Sequence, residues 1–414
     1  MKVLVLGGGV IGVATAWQLL KDGHEVGLIE RHAGAAEESS FANAGQISPG
    51  HAFAWSSPRA PWTLLRSLFR RDQALRFRFS LDPALWRWSL RFLRECTPAR
   101  FRRNTRTKHR LCAYSRAALE DVAAESGVAF DRRKGGLLYV YRDEAAFAER
   151  VREMRLLTEL GEPLVALTPS EAVRLEPALE SAERRIAGAI HGRADESGDC
   201  AKFAKALARR CAERGSAVEY GVEIRAIVPE GDRIEKVVTD RGERRADAYV
   251  LALGCDSARF ARALGFGLPI HPVKGYSVTL PIPERNAAPE IGGIDEANLA
   301  CFTGMGDRLR ITSTAEFAGW DKSHRPSDFR AMLAAARELL PGAADWSQPT
   351  YWAGLRPMTP DNAPYLGRGP QRNFWLNAGH GHLGWTMACG SARITADLIA
   401  GRAPAIDLAG LTLR

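Results

Sequence analysis

The sequence predicts a protein of α/β and α+β class. A Rossmann-type dinucleotide-binding domain is assembled from discontinuous segments, and a second domain of mixed and antiparallel sheet with helices is inserted into it. Three observations carry this. A glycine-rich turn, Gly7-Gly8-Gly9-Val10-Ile11-Gly12, joins an apolar run to a helical one. Strand and helix patterns of the same kind return near Asp199 and near the C-terminus, separated by unlike sequence. From about Pro269 to Leu340 the periodicity is mostly that of strands. At 414 residues the chain is too long for one ordinary core. The expected division is 1–50, 190–266 and 347–414 for the first domain, with 51–189 and 267–346 for the second.

Taken in order, "KVLVLG" reads as a short buried strand and Ile11 to Lys21 as a helix ended by "DGHE". "EVGLIE" is a second strand, finishing at Glu30. From Ser39 the pattern loosens into a polar loop, "SSFANAGQISPGHAFAWSSPRAP", followed by basic, aromatic helices up to about Gly127. One of these starts at Asp82-Pro83, acid at the cap and proline at the first helical position. Near Asp199 a second α/β stretch begins, with Phe203, Leu207 and Cys211 on one helical face and Gly215 as the stop. Strands follow at "AVEYGVEIRAIV", "IEKVVTD" and "AYVLALG", the last reaching Gly254. The strand-rich region after Pro269 ends in a helix around Phe329 to Leu340. "NFWLNAGHGHLGWTMACGSARITADLIAG" closes the chain as a strand, a glycine-rich turn and a helix stopped at Gly401.

No apolar run reaches the roughly 18–20 residues of a membrane span. The glycines at 7, 8 and 9 interrupt what would be the apolar core of a signal peptide, so a cytoplasmic protein is expected. Seven cysteines, none closer than eleven residues to the next, exclude C-x-x-C zinc or redox spacing; no metal is expected. The net charge of +9 is uneven. Residues 59–110 hold fifteen Lys or Arg against three acids, leaving the rest of the chain slightly acidic, which argues against a general nucleic-acid surface.

The opening turn is G-x-G-x-x-G between a strand and a helix. Gly7 permits the tight turn, Gly9 lets a pyrophosphate approach the backbone, and Gly12 packs helix on strand. The helix end, with Val10 and Ile11, offers amides and a positive dipole to phosphates. Glu30, eighteen residues past Gly12, stands where a ribose-binding carboxylate is expected. Continued βαβ units, usual for NAD, do not follow Glu30, and no second G-x-G-x-x-G provides for a nicotinamide. The late "GHGHLG" turn opens another helix whose positive end suits a flavin's pyrimidine carbonyl. FAD is therefore the expected cofactor.

"WAGLRPMTPD", residues 352–361, sets Arg356 in apolar company. A buried guanidinium without an anion costs several kcal/mol, so it needs a partner. Asp361 is one candidate; a bound carboxylate, held as a bidentate charge-assisted pair, is the other.

With "VLGGGVIGVATAW", "SSFANAGQISPG", "DESGDC", "HPVKGYSVTLPI", "YWAGLRPMTPDNAPYLG" and "NAGHGHLGWTMACGSA", the chain resembles the D-amino-acid oxidase superfamily nearly end to end, and within it the bacterial D-amino-acid dehydrogenases. The resemblance implies that Gly7, Gly9, Gly12, Glu30, Arg31, Ser40, Asn43, Gly45, Gln46 and Val222 contact FAD. It also implies that Gly381, Leu383, Gly384, Trp385 and Thr386 surround its ring system, with Val10, Ile11, Gly254 and His380 as further contacts. It places Arg356 on the substrate carboxylate. Tyr276 of "VKGYS" reads either as a core residue of its strand or as a second hydrogen-bond donor to that carboxylate. Sarcosine-oxidase-like relatives carry a flavin-bound cysteine where Gly354 stands here, so FAD is expected to be non-covalent.

The implied reaction removes the α-hydrogen of a D-amino acid as hydride to flavin N5, giving an imino acid and then a 2-oxo acid and ammonia. It needs a neutral amine and alignment but no obligatory base; His51, His380 and His382, all on loops, are assigned none. The alternatives are an oxygen-using oxidase of glycine, sarcosine or D-amino acids, and a flavin-binding subunit that only relays electrons. In the basic stretch, Trp86, Leu90 and Leu93 share one helical face and Trp88 and Phe92 another row, with Arg87, Arg91 and Arg94 between. Such a helix either packs on the core or lies on an anionic bilayer. In the second case the protein is peripheral on the inner face of the cytoplasmic membrane and passes electrons to a quinone or other respiratory acceptor.

Overall fold

The computed structural model describes residues 1–67, 75–78 and 80–413; residues 68–74 and 79 of the basic stretch lie outside the described residues. Two large sheets organise the fold. The first has six strands in the order Tyr365–Arg368, Phe374–Ala378, Ala248–Leu251, Lys2–Leu6, Glu25–Glu30 and Ala217–Tyr220. All neighbours are parallel except the Tyr365–Arg368 pair with Phe374–Ala378. Lys2–Leu6 is central and carries Val3, Val5 and Leu6 fully buried, as parallel strands covered on both faces require. Helix Val10–Lys21 packs between Cys200–Glu213 and the last helix, Gly384–Ile399. Phe203, Leu207 and Cys211 lie in that core as their spacing predicts, and Asp199 caps their helix by accepting from the Lys202 amide at 3.0 Å.

The second sheet has nine strands. Thr350–Met358 and His271–Pro281 pair antiparallel at one end, and Leu164–Leu167 closes the other. The helix after Phe329 occupies Arg330–Leu339 and covers this sheet through Met332, Ala336 and Leu339. Strands Leu137–Tyr141, Leu164–Leu167 and Gly188–Gly192 also belong to it, in a region where the sequence carried no motif.

One expected strand is two. "AVEYGVEIRAIV" breaks at Gly221, which has φ +64°. Its first part, Ala217–Tyr220, edges the six-stranded sheet, and Ile224–Glu230 joins a separate three-stranded antiparallel sheet. The cause is tertiary: the Gly221 amide donates to His32 O and the Val222 amide to Glu30 O, so the chain turns where it meets the end of the neighbouring strand.

Helix Pro83–Glu95 begins as expected, with Asp82 accepting from the Ala84 amide at 2.8 Å. Its two rows part company. Leu85, Trp88 and Phe92 are buried against Val273, Phe317 and Met358, and Trp88 Nε1 donates to Met358 O at 2.9 Å. Trp86, Leu90 and Leu93 face outward at 54, 60 and 44 % exposure. No helix among the described residues is long and apolar enough to cross a membrane.

Candidate active site

A cavity of about 1080 Å³ runs from the glycine turn to the inner end of the nine-stranded sheet. Its volume is at the upper end of the range for ligand sites. At the turn, Gly7 adopts φ +109°, and a Cβ there would lie 2.6 Å from Ala252 O. A Cβ on Gly12 would fall 1.9 Å from Gly7 O, so this glycine sets the helix-to-strand distance. Gly9 differs: a Cβ would meet only Ser40 Oγ, at 3.5 Å, so its missing side chain leaves space in the cavity wall. No side chain caps the helix at Gly9 and no acid stands in its first turn, although Ser40 Oγ accepts from the Val10 amide at 3.0 Å. An anion fits such an end.

Glu30 lines the cavity with its carboxylate held by the Gly8 amide at 2.7 Å and the His32 amide at 2.9 Å. Arg31 donates to Asp256 at 3.0 Å and to Glu38 at 2.7 Å. Burial opposes its charge, but these two acids outweigh that and raise its pKa. Ile11, Asn43, Gly45, Gln46, Val222 and Gly254 line the same cavity; Asn43 Oδ1 accepts from the Gly45 amide, and Gln46 Nε2 donates to Gly293 O at 2.7 Å. His380, Gly381, Leu383, Gly384 and Trp385 line it from the second helix end. His380 bonds Ser391 Oγ at 3.1 Å, and burial pulls its pKa down to about 3, so it stays neutral. Gly12 and Thr386 sit behind the lining; Thr386 Oγ1 accepts from the Ser48 amide at 3.1 Å. The residues present thus fit a dinucleotide flavin: anion-accepting helix ends, a ribose-height carboxylate and space at Gly9.

At the other end stands Arg356, half-buried and open to the cavity. Its Nη1 donates to Thr314 O at 2.8 Å and Lys274 O at 3.5 Å, and no acid pairs with it among the described residues. Burial lowers its pKa. Two backbone features make room for it. A Cβ on Gly275 would lie 2.5 Å from the guanidinium carbon. Opposite Gly275 the neighbouring strand bulges, and Thr314 is held at φ +67°, costly for a β-branched residue, which aims its carbonyl at Arg356. Tyr276 lines the cavity but donates its hydroxyl to Glu316 Oε2; burial and that carboxylate push its pKa up. Its one proton is thus already placed, and the expected second donor to a carboxylate is spent inside the protein.

The sequence reading named His51 and His382 but assigned them no role, and it did not single out Glu296 or Arg150, which line the same cavity. His51 Nε2 meets Glu296 Oε1 at 2.7 Å, and Arg150 sits over Phe53 with its carbon 4.7 Å from the ring centre. His382 stacks on Trp55 at 4.5 Å and touches Lys108 Nζ at 3.0 Å. None of these contacts is local in sequence, so no spacing announces them.

The family model described as FAD dependent oxidoreductase matches residues 2–398. D-amino acid dehydrogenase of Paramagnetospirillum magneticum is 46 % identical over 412 residues, covering 99 % of this chain and 98 % of its own. D-amino acid dehydrogenase 2 of Mesorhizobium japonicum is 44 % identical, with 99 % of both chains covered. Among solved structures, glycine oxidase from Geobacillus kaustophilus superposes with a TM-score of 0.79 at 26 % identity, over 100 % of this chain and 98 % of its own.

Proposed function

The chain belongs to the FAD dependent oxidoreductase family, and from that membership we propose that it deaminates D-amino acids oxidatively, using non-covalent FAD. The products are an imino acid and, after hydrolysis, a 2-oxo acid and ammonia. Bound FAD supplies the acceptor for the hydride removed from the α-carbon. The glycine turn and Glu30 would hold its nucleotide part, and the turn before Gly384–Ile399 would meet its ring system. A cysteine at Gly354 would drive its Cβ to 2.0 Å from the Trp352 ring, which supports a non-covalent cofactor.

The observation that carries the reading is Arg356. A guanidinium that bonds carbonyls, opens to a cavity and has no acid partner among the described residues is poised for the carboxylate common to amino acids. Held there, the substrate shares the cavity with His51, Arg150 and Glu296. The sheet memberships support a cofactor domain of 1–50, 190–266 and 347–414 and a substrate domain of 51–189 and 267–346, with Thr350–Met358 bridging as a strand of the larger sheet.

Electrons then pass to a quinone or another non-oxygen acceptor, and the protein works in the cytoplasm against the inner membrane face. The exposed Trp86, Leu90 and Leu93, set among exposed Arg87, Arg91 and Arg94, support this. A second reading, an oxygen-using amine oxidase, is favoured by the likeness to glycine oxidase. Anaerobic addition of D- and L-amino acids to the flavin-loaded protein tests the main reading: D-amino acids alone should bleach the visible band. A band indifferent to all of them would remove the function, and rapid re-oxidation by air would favour the oxidase.

A further inference from the structure

Lys108 is the least expected side chain in the core. It is 1 % exposed, on helix Pro98–Ser126, and no acid pairs with it among the described residues. Its Nζ donates to Phe53 O at 2.8 Å and contacts His382 Nε2 at 3.0 Å. A fully buried lysine without an anion is costly, and hydrocarbon of the same length would pack there without that cost. Lys108 does not line the cavity, but His382 does, braced by Trp55 and sharing the cavity with Arg356. The lysine therefore reaches any bound molecule only through the imidazole.

Resting on the reading of this site as an amino-acid oxidase, we propose that His382 and Lys108 form a proton relay that accepts the proton of the substrate's ammonium group. Amino acids bind mostly as zwitterions, while hydride loss from the α-carbon needs the nitrogen lone pair. With the carboxylate on Arg356, an N–H bond of the ammonium breaks and one forms on Nδ1 of His382. The hydrogen on Nε2 passes to Nζ of neutral Lys108. No electrons move in this step. The proton and the hydride together make up the two hydrogen equivalents that leave per turnover on reduction of the acceptor.

The charged and titratable groups around the pair are consistent with it. Lys108 faces Cys112 on its own helix and His382 across from it; His382 faces Lys108, His51 and Arg356. Burial pulls the Lys108 pKa down to about 7, leaving a neutral acceptor available near neutrality. Burial and its cationic neighbours hold His382 well below the usual imidazole range, so it passes a proton on and does not keep it.

The test is Lys108→Met, which keeps the shape and removes the charge. In rapid anaerobic mixing with D-alanine, the wild-type reduction rate should climb about tenfold per pH unit up to about pH 7 and level off above. In K108M that limb should move up to the pH range where the amine itself loses its proton, and the rate at pH 7 should fall about 100-fold. The affinity for propionate, a carboxylate with no amine, read from the flavin spectrum, should stay the same. An unchanged pH limb in K108M overturns the relay. The FAD-free proteins give a second readout. A lysine neutral in the fold and charged when unfolded makes wild-type stability rise with pH between about 7 and 10.5, and K108M should lose that rise. Equal pH dependence of melting in the two proteins would show that Lys108 is not the buried acceptor. Wild-type flavin that no D-amino acid reduces would instead overturn the substrate reading beneath this inference.

Discussion

Arg356 sets the terms at the residue scale. Charged groups that leave water need partners, and this one has two carbonyls and, among the described residues, no acid. Removing it should therefore cost the ligand-free protein little and the complex a great deal. In Arg356→Met the melting temperature without substrate should hold or rise. A hydrogen bond to a charged group contributes about 1.5–3 kcal/mol, so kcat/KM should fall by about 10- to 150-fold or more, mainly through KM. Thermal unfolding and steady-state kinetics on the same preparation decide it. Marked destabilisation with an unchanged KM would make Arg356 a structural cation. Gly275→Ala probes the same point from the other side, since its Cβ would displace the guanidinium while leaving the charge in place. It too should raise KM while the flavin spectrum stays constant.

At the scale of elements, the opening turn contains two glycines that matter for different reasons. Gly12→Ala puts a methyl 1.9 Å from Gly7 O and must push helix off strand, costing about 1–3 kcal/mol in urea unfolding of the FAD-free protein. Gly9→Ala meets nothing nearer than 3.5 Å, so that protein should fold normally and purify with little flavin. Normal flavin content in Gly9→Ala would mean the phosphates lie elsewhere. Helix Pro83–Glu95 divides likewise. Trp88→Ala should destabilise by about 3–5 kcal/mol. Trp86→Ala should change stability by less than about 0.5 kcal/mol and weaken retention on anionic vesicles. Both elements were legible in the sequence because their signals are local: a strand, a turn and a helix in one stretch, or a capped helix with two apolar rows. Which row would face outward was not legible, because Phe317 and Met358, more than 200 residues on, choose it. The break at Gly221 was hidden for the same reason. Alternation runs through it unbroken, and the turn comes from hydrogen bonds to His32 and Glu30.

Across the whole molecule, most residues that motifs could name line one cavity, with Gly12 and Thr386 behind it, beside others that no motif announces. Lys108 and His382 are 274 positions apart, and Asp195 bonds Gly50 across 145 positions and Tyr139 across 56. Its Oδ1 accepts from the Gly50 amide at 2.8 Å and its Oδ2 from Tyr139 OH at 2.5 Å, tying the loop that carries His51 to the larger sheet. Complete burial raises the Asp195 pKa to about 7, against the pull of those two bonds. The unfolded chain loses this proton near pH 3.8 and the fold keeps it to about pH 7. Between those values the native state binds more protons, so the contribution of Asp195 to stability is full below the window and is lost as pH rises through it. The slope should approach about 1.4 kcal/mol per pH unit within the window. Asp195→Asn can accept from Gly50 and has no proton to lose, so the stability difference between variant and wild type should grow in the variant's favour from about pH 4 to 7 and then stay level. Lys108 has the opposite sign and a later window, from about 7 to 10.5. Together the two buried groups place a dip in wild-type stability near neutral pH. Melting curves of D195N and K108M across pH 4 to 10 should each remove one side of that dip. A D195N difference that is flat between pH 4 and 7 would mean that Asp195 ionises normally and that the loop of His51 is not held by a buried proton.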